Sequence, residues 1–418
     1  MIAKVGTLLI KMLIGIAIAN YLGAGDNGIL AYPMALITFF LAASGLGLNN
    51  YLTRELIEKR GLRNHLLGTA FRIRLLAGLI SIPIIYIVYS WISVHSNPPA
   101  PLEYILIVSF VCVFQAVLVL DSYFQAITQG KQIMIVQIGA NLLSAIFKLS
   151  LLYFKASLTW FIWAILLDAA FVALGFIWIY QHSGLSVFQW KYDRKIAGIL
   201  IRNAWPLAFS AILVSLYMKI DQVMIGYMLP ESELGIYSTV VSLSESWYFI
   251  PVAIVAAVFP AIMHARRTDM ERYKTRLQNL YDVLSLMSIG IAVVMTFASG
   301  YLYDLLYTEA YQEGAKVLSI HIWAGVFVFL GTASGQYLIA ERFLKLALIR
   351  TAAGAIVNIT LNLVWVPLYG INGAALATLV AYAVSTFLIL FIPRTYMQGI
   401  MMLKSIFLLS FFKRIFYK

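Results

Sequence analysis

The sequence predicts an all-α polytopic membrane protein with about twelve transmembrane helices in two six-helix lobes around a central cavity. Of its 418 residues, 62% are hydrophobic and only 11% are charged, whereas a soluble domain carries about 25% charged residues. Mean hydropathy is +0.88, and apolar runs long enough to cross a bilayer recur along the whole chain. The longest stretches between these runs, residues 181–202 and 264–280, leave no room for a soluble catalytic domain.

Hydrophobic runs bounded by polar or glycine-containing breaks define the individual spans. The twelve predicted spans cover residues 4–22, 30–52, 68–91, 103–128, 133–154, 158–180, 203–229, 235–262, 281–306, 315–340, 346–369 and 372–393. The remaining residues form a basic, apolar tail whose end is too charged to cross the membrane. We expect this tail to lie along the membrane surface.

Lysine and arginine are distributed unevenly between the two sets of loops. Loops that join even-numbered spans to odd-numbered ones carry most of them, whereas the opposite loops carry mainly aspartate and glutamate. The positive-inside rule therefore places the basic loops and both termini in the cytoplasm. The same distribution accounts for the net charge of +12 without a nucleic-acid partner.

An internal repeat divides the chain near its middle. YLGAGDNGILAY at residues 21–32 resembles YMLPESELGIYS at 227–238, with an offset of 206 to 207, and FQAITQGK at 124–131 resembles GQYLIAER at 335–342, with an offset of 211. Halves that enter the membrane from the same side are related by an axis along its normal, and substrate sites lie between them. The predicted parts are an N-terminal lobe at 1–181, a cytoplasmic linker at 182–202, a C-terminal lobe at 203–393 and an interfacial tail at 394–418.

Residues typical of catalytic or metal sites are scarce. The single cysteine, Cys112, lies in an apolar run, and the five histidines show no metal-ligand spacing. The sequence contains no phosphate-binding loop and no nucleophile elbow. We therefore predict that the protein is not an enzyme and has no metal site or cofactor, apart from a coupling H⁺ or Na⁺.

Lys219 and Asp221 lie near the centre of the seventh span. Each charge at that depth costs about 2.5–3.5 kcal/mol on insertion scales, and helical geometry directs the two side chains to nearly opposite sides. Each therefore needs a partner or water on its own side. We predict that both face a hydrated cavity, where Lys219 binds an anionic substrate and Asp221 a coupling ion. The alternative is an ion pair that only fixes helix packing.

Helical spacing groups further polar residues into stripes, which line a cavity or hold helices together. The stripes are Asp121, Gln125 and Thr128 on the fourth span and Ser238, Ser242 and Glu245 on the eighth. We predict that Asp121, Gln125, Ser242 and Glu245 contribute to ion coupling or to the cavity.

Other intramembrane residues allow more than one role. Lys148 in the fifth span is predicted to bind substrate, but it can also snorkel to the nearer interface. Asp168 in the sixth span fits either a functional site or a packing ion pair. Pro251 and Pro260 predict a kink in the eighth span, either static or a hinge.

Four arginines lie just inside the predicted cytoplasmic boundary. They are Arg54, Arg72, Arg74 and Arg350. The planar fork of arginine donates two parallel hydrogen bonds to phosphate. We therefore predict a cytoplasmic vestibule that attracts a phosphorylated lipid headgroup, with ordinary positive-inside flanking as the alternative.

Three runs of the chain carry a family resemblance. They are Ile18–Leu56, LDSYFQA at Leu120–Ala126, and Trp205–Ile262, which includes YMKIDQVMIGYMLPESELGIYS. These runs resemble the Wzx-type oligosaccharide flippases of bacterial surface polysaccharide synthesis, which transport O-antigen units. The resemblance covers most of the chain and fades after about Ile392.

The resemblance implies membership of the multidrug/oligosaccharidyl-lipid/polysaccharide exporter superfamily. It implies alternating-access transport of undecaprenyl-pyrophosphate-linked oligosaccharide, such as a lipopolysaccharide O-antigen unit, from the cytoplasmic to the periplasmic leaflet of a bacterial inner membrane. The partners it suggests are membrane lipids, a polysaccharide polymerase and other assembly proteins.

Two other functions stay open. A cation-coupled multidrug exporter of the same superfamily would need a cavity richer in carboxylates and aromatic residues than in basic groups. A membrane polymerase or ligase would need a large periplasmic loop, and the predicted loops on that side are short.

Overall fold

The computed structural model describes residues 2–407, which form helices and connecting turns without a β-strand. By their internal contacts, the residues divide into two compact units, unit 1 at Met1–Gly235 and unit 2 at Ile236–Lys418. The boundary falls inside one helix, α10.

Unit 1 contains nine helices and the beginning of α10. They are α1 Ile2–Gly45, α2 Leu48–Glu58, α3 Arg63–His95, α4 Leu102–Ser109, α5 Val111–Phe114, α6 Val119–Ala126, α7 Gly130–Tyr153, α8 Leu158–His182, α9 Arg194–Met228 and α10 Glu231–Glu245. A buried apolar cluster joins α2, α3, α6, α7, α8 and the first turns of α9, with Leu67, Phe124 and Tyr180 among its almost completely buried members.

Unit 2 contains the rest of α10 and six further helices. They are α11 Phe249–Thr268, α12 Met270–Leu306, α13 Glu313–His321, α14 Ala324–Ala340, α15 Leu344–Phe387 and α16 Tyr396–Ile406. Its apolar core lies mainly between α11, α12 and α14, where Leu284, Phe329 and Leu330 are almost completely buried.

Membrane-crossing segments dominate the described chain. Within residues 2–407, nine helical segments are long and apolar enough to cross a membrane. A tenth is the pair Glu309–His321 and Ala324–Ala340, which is bent by 45°. The predicted all-α polytopic membrane fold is confirmed.

Two of these segments are long enough for two crossings each. Gly6–Glu58 has 53 residues and Leu344–Phe391 has 48, against roughly 20 residues for one crossing. Each is interrupted by a glycine with non-helical dihedrals, Gly23 (φ 74°, ψ 171°) and Gly370 (φ 58°, ψ −143°). A positive φ is readily available only to glycine. Divided at these two glycines, the described segments correspond to the twelve predicted spans.

The eighth span is interrupted at the position that its proline predicts. α10 ends at Glu245 and α11 begins at Phe249, with turns between them. Pro251 lacks an N–H, and its ring opposes the carbonyl of the residue four positions earlier, Trp247. Pro260 lies inside α11 without ending it.

The boundary between the compact units differs from the linker predicted at residues 182–202. α9, which was expected to begin the C-terminal lobe, packs against α1, α2 and α3. Its contact with α1 is close: a Cβ added to Gly226 would lie 2.5 Å from the Tyr32 ring. This packing places α9 in unit 1. The division into two six-helix lobes by the sequence repeat stays a prediction.

α16 is docked on α12 by buried polar contacts. Gln398 Nε2 donates to Tyr281 Oη at 2.5 Å, and Ser405 Oγ donates to Asp282 Oδ1 at 2.7 Å. This segment of the predicted interfacial tail is therefore part of unit 2 rather than a free surface helix. The tail beyond Phe407 lies outside the described residues, and its place on the membrane surface stays a prediction.

Candidate functional site

Arg74 is the most deeply buried charged side chain of the predicted site, with 1% of its surface exposed. It lies in the fourth turn of α3, and its Nη2 donates to Asn49 Oδ1 of α2 at 2.6 Å. Its Nε and Nη1 have no hydrogen-bond partner in the described structure. A buried N–H without an acceptor costs about 1–3 kcal/mol. Arg74 therefore has donor capacity that the protein does not satisfy.

Residues of α6 complete this cluster. Asp121 is close enough to attract the Arg74 guanidinium, and its Oδ2 accepts from Gln125 Nε2 at 2.8 Å. Ser122 Oγ donates to Asn49 O at 3.3 Å. The structure thus brings together three residues from the predicted site, and we call Asn49, Arg74, Asp121, Ser122 and Gln125 the arginine cluster.

The other two arginines predicted near the third span lie elsewhere. Arg54 is exposed over 71% of its side chain and pairs with Glu58 at 2.8 Å. Arg72 is exposed, and its guanidinium lies 5.6 Å from the centre of the Tyr192 ring. Two residues apart on a helix, Arg72 and Arg74 point in nearly opposite directions. Arg54 and Arg72 are therefore not part of the arginine cluster around Arg74.

Lys148 and Asp168 form an ion pair between α7 and α8. Nζ and Oδ2 are 2.5 Å apart, with side chains 19% and 38% exposed. Lys11 of α1, which the sequence analysis did not single out, lies close enough to interact electrostatically with both. Two lysines therefore share one carboxylate within the spans of unit 1. The pairing favours the ion-pair interpretation of Asp168. It also shows that Lys148, which was expected to bind substrate or to snorkel to the membrane interface, has a partner within the protein.

Removing Asp168 alone is expected to destabilise the protein more than removing Asp168 and Lys148 together. Asp168→Leu should lower the free energy of unfolding by about 1–3 kcal/mol, because it leaves both Lys148 and Lys11 without their carboxylate; partial exposure places the effect below that of a fully buried pair. Lys148→Leu should cost less, because Asp168 keeps its interaction with Lys11. The double variant should recover about 1–2 kcal/mol as coupling energy. Thermal unfolding in detergent measures both, and additive effects would mean that the pair contributes nothing.

Lys219 and Asp221 lie in the last three turns of α9, where the helix packs on α1. Asp221 is 3% exposed, and its Oδ1 accepts from the Gln222 backbone N–H at 2.8 Å. Lys219 is half-buried. Both side chains have interactions within the protein. The prediction that they face a hydrated cavity stays a prediction.

The predicted residues of unit 2 fall in two places. Arg350 of α15 donates from Nη1 to Ser334 Oγ and from Nη2 to Gly331 O of α14, both at 2.9 Å. Glu245 is the last residue of α10 and is half-buried, and Ser242 one turn earlier is exposed. Arg350 is therefore held between two helices of its own unit, whereas Glu245 stands at the break before α11.

Neutral polar residues that the sequence analysis did not single out are buried in α15. Asn358 and Asn362 are both 0% exposed and Thr378 is 1% exposed. Asn362 Nδ2 donates to Asn358 Oδ1 at 2.6 Å, and Asn358 Nδ2 donates to Thr378 Oγ1 at 3.3 Å. Because a neutral amide hardly interrupts a hydropathy profile, only helical spacing of the two asparagines could have indicated this cluster.

Comparisons with known proteins agree with this architecture. A family model described as "Polysaccharide biosynthesis protein" matches residues 17–316. Two proteins of Haloferax volcanii are similar in sequence. The probable low-salt glycan biosynthesis flippase Agl15 is 23% identical over 207 residues, which cover 49% of this chain and 44% of that protein. The probable flippase AglR is 24% identical over 186 residues, 41% of this chain and 37% of that protein. The matched stretches thus cover less than half of either relative.

Solved structures share the fold over nearly the full chain. The lipid II flippase MurJ in its inward closed conformation has a TM-score of 0.75 at 15% identity, covering 100% of this chain and 92% of that chain. An inward-facing multidrug resistance MATE transporter of the MOP superfamily has a TM-score of 0.69 at 13% identity, covering 94% of this chain and 95% of that one. These similar proteins are named as flippases and transporters, and the prediction that the chain is not an enzyme agrees with those names.

Proposed function

Because the chain belongs to the polysaccharide biosynthesis protein family, we propose that it is a flippase for a lipid-linked oligosaccharide. The substrate proposed is an undecaprenyl-pyrophosphate-linked repeat unit, such as an O-antigen unit of lipopolysaccharide. The protein moves its headgroup from the cytoplasmic to the periplasmic leaflet of a bacterial inner membrane, with both of its own termini in the cytoplasm. A polysaccharide polymerase would then receive the unit.

The observation that carries this proposal is the excess of cations over carboxylates inside the spans of unit 1. Within the spans predicted from the sequence, and apart from Lys4 and Glu103 at their first positions, the cations are Lys11, Arg72, Arg74, Lys148 and Lys219, and the carboxylates are Asp121, Asp168 and Asp221. A charge in hydrocarbon is costly and normally marks a substrate or ion pathway. An excess of positive charge favours an anionic passenger, because moving a pyrophosphate across bare hydrocarbon would be prohibitive.

Different cations suit different parts of this task. Lys219 is half-buried on α9 and Arg72 is exposed at the cytoplasmic end of α3, so both suit attraction of a pyrophosphate from the cytoplasm. Arg74 offers Nε and Nη1, which have no acceptor in the described structure. Lys148, together with Lys11, lies farther along the spans and already shares Asp168. Arg54 and Arg350 are engaged by their own neighbours and are proposed to bind phosphate on the basis of their charge alone.

Ion coupling is the second part of the proposal. Asp221 is buried and Asp121 and Glu245 are partly buried within or beside interrupted spans, where an intramembrane carboxylate is costly and normally marks an ion or substrate pathway. Gln125 and Ser242 add neutral oxygen atoms beside two of them. A cation-coupled multidrug exporter is the alternative function, since a MATE transporter shares the fold. The cation excess argues against it.

The proposed function predicts accumulation of a lipid-linked oligosaccharide when the protein is absent. In a deletion strain of the native host, we expect mass spectrometry of extracted lipids to detect accumulated lipid-linked oligosaccharide and surface polysaccharide to fall at least tenfold. Lys219→Ala should reproduce this loss, because it removes a cation from the proposed path, and Asp221→Ala should do so by removing a coupling carboxylate.

The control lies on the same helix as Lys219. Lys195→Ala removes an exposed lysine from the first turn of α9 and is expected to leave polysaccharide at the wild-type level. Protein amount in the membrane is measured for every variant. Normal polysaccharide in the deletion strain together with increased drug sensitivity would replace the proposal by the multidrug exporter. Normal polysaccharide in both alanine variants would remove Lys219 and Asp221 from the mechanism.

A further inference from the structure

A surface groove runs between α11 and α12 of unit 2. Its volume is about 260 Å³, and it is lined by Ile254, Val258, Ala261, Ile262, Arg276, Asn279, Leu280 and Val283. The lining residues recur at helical spacing on both helices, so the groove follows their shared length. From Ile254 to Ile262 it extends about 12 Å at 1.5 Å per residue.

One end of this groove is polar and the other is apolar. Arg276 lies near the cytoplasmic start of α12, and its Nη1 donates to Ala261 O at 2.8 Å, which fixes the guanidinium at the mouth of the groove. Asn279, one turn deeper, has a buried Oδ1 without a hydrogen-bond partner. Beyond it the walls are aliphatic. Val258 and Val283 are 40% and 48% exposed, so the groove opens on the surface.

The acidic residues nearest along α12 are engaged away from this mouth. Glu271 Oε1 pairs with Lys274 Nζ at 2.8 Å, and Asp269 Oδ1 accepts from the backbone N–H groups of the first turn. Asp282 Oδ1 accepts from Ser405 on α16. The positive charge of Arg276 is therefore not cancelled by a carboxylate of its own helix.

We propose that this groove binds an anionic phospholipid. One acyl chain lies along Ile254, Val258 and Val283, and the headgroup phosphate accepts hydrogen bonds from Arg276. Basic pockets between transmembrane helices on the cytoplasmic side are suited to anionic lipid headgroups, and the guanidinium fork matches phosphate oxygens. All of the lining residues of this groove belong to unit 2, and none of the residues proposed for the substrate path is among them.

A second groove in unit 1 shows what the polar end contributes. It lies between α7 and α8, has a volume of about 350 Å³, and is lined entirely by apolar and glycine residues, from Ile135 to Leu143 and from Phe171 to Ile179. Without a charged residue in its lining, this groove can hold a lipid chain but cannot select a headgroup. Headgroup selectivity is therefore the property that distinguishes the α11–α12 groove.

The test compares two lipids with identical chains and different headgroup charge. The full-length protein is purified in detergent, washed free of lipid and mixed with phosphatidylglycerol or phosphatidylcholine, and bound lipid is counted by native mass spectrometry. We expect wild-type protein to retain at least fivefold more phosphatidylglycerol than phosphatidylcholine. Arg276→Gln should reduce this preference to less than twofold, because the phosphate loses its cationic partner.

The matched control is Arg272→Gln, which removes the same charge from the same helix one turn earlier. Arg272 is exposed and does not line the groove, so the preference should remain. Ala261→Leu, which places a larger side chain in the groove, should reduce binding of both lipids. Equal retention of the two lipids by wild-type protein, or equal losses in Arg272→Gln and Arg276→Gln, would overturn the proposal. Equal retention by wild-type protein would overturn the proposal even if a variant fails to fold.

Discussion

Replacing Gly28 by alanine is expected to abolish accumulation of the folded protein. Gly28 lies where α1 crosses the first turn of α10, and a Cβ added there would be 1.8 Å from Glu231 O and 2.7 Å from Glu231 C. Backbone atoms cannot rotate away as a side chain can, so one of the two helices must shift. Asn27 Nδ2 donates to Gly235 O at 3.0 Å at this crossing and would be pulled out of place. We expect a loss of more than about 4 kcal/mol of stability, which is exceptional for one methyl group.

Gly235→Ala, the reciprocal substitution, should lower the stability of the protein by a similar amount. A Cβ on Gly235 would lie 1.9 Å from Ala24 O, and Gly28 and Gly235 are equivalent positions of the predicted repeat, as are Ala24 and Glu231. Two equivalent glycines that each meet the backbone carbonyl of the other segment form the contact expected on a two-fold axis. This geometry supports the repeat independently of the weak residue matches.

Gly15→Ala on the same helix is the control for the glycine substitutions. No heavy atom lies within 4 Å of a Cβ added at Gly15, and alanine favours a helix more than glycine does. Membrane abundance by immunoblot and the midpoint of thermal unfolding in detergent measure all three variants. Wild-type abundance of Gly28→Ala would show that the two helices do not approach as closely as the structure has them.

Most of the fold could be predicted because hydropathy reports burial in lipid directly. Each of the twelve predicted spans has a helical counterpart, and Pro251 predicted the interruption of the eighth span. The break between His321 and Ala324 had no proline to indicate it. The docking of α16 depends on single contacts such as Gln398 with Tyr281, and no local pattern encodes a partner more than a hundred residues away.

The candidate site was likewise only partly predictable from the sequence. Apart from Lys11, the intramembrane charges discussed above were identified because each interrupts an apolar run, but their partners are determined by tertiary packing. Lys148 and Asp168 lie on neighbouring helices, and their pairing appears only when α7 packs on α8. Asn49, the acceptor of Arg74, is neutral and lies on a short polar helix, where an asparagine does not interrupt an apolar run and so gives no sequence signal.

Arg74→Met is expected to reduce surface polysaccharide at least tenfold while leaving most of the protein in the membrane. Methionine is unbranched and fills irregular space, and it removes two buried nitrogen atoms, Nε and Nη1, whose lack of an acceptor costs free energy in the wild type. Asp121 keeps the hydrogen bond from Gln125 at 2.8 Å. The loss should therefore be in transport. In the wild type, Nε and Nη1 of Arg74 have no acceptor in the described structure and can donate to a pyrophosphate that reaches them. In Arg74→Met these two donors are absent.

Asn49→Ala separates this role from helix packing. It removes the acceptor of Arg74 Nη2 but leaves the guanidinium itself in place. If Arg74 binds the phosphate during transport, Asn49→Ala should retain polysaccharide within about threefold of wild type. The hydrogen bond from Arg74 to Asn49 contributes about 1.5–3 kcal/mol to the stability of the helix packing, but it does not contribute to substrate binding. Equal losses of polysaccharide and of membrane abundance in both variants would instead assign Arg74 to the packing contact between α2 and α3.

Because Arg74 is 1% exposed, a phosphate reaches it only when α2, α3 and α6 separate. The transport defect of Arg74→Met should therefore appear during turnover. It should not appear in equilibrium binding of inorganic pyrophosphate to the resting protein.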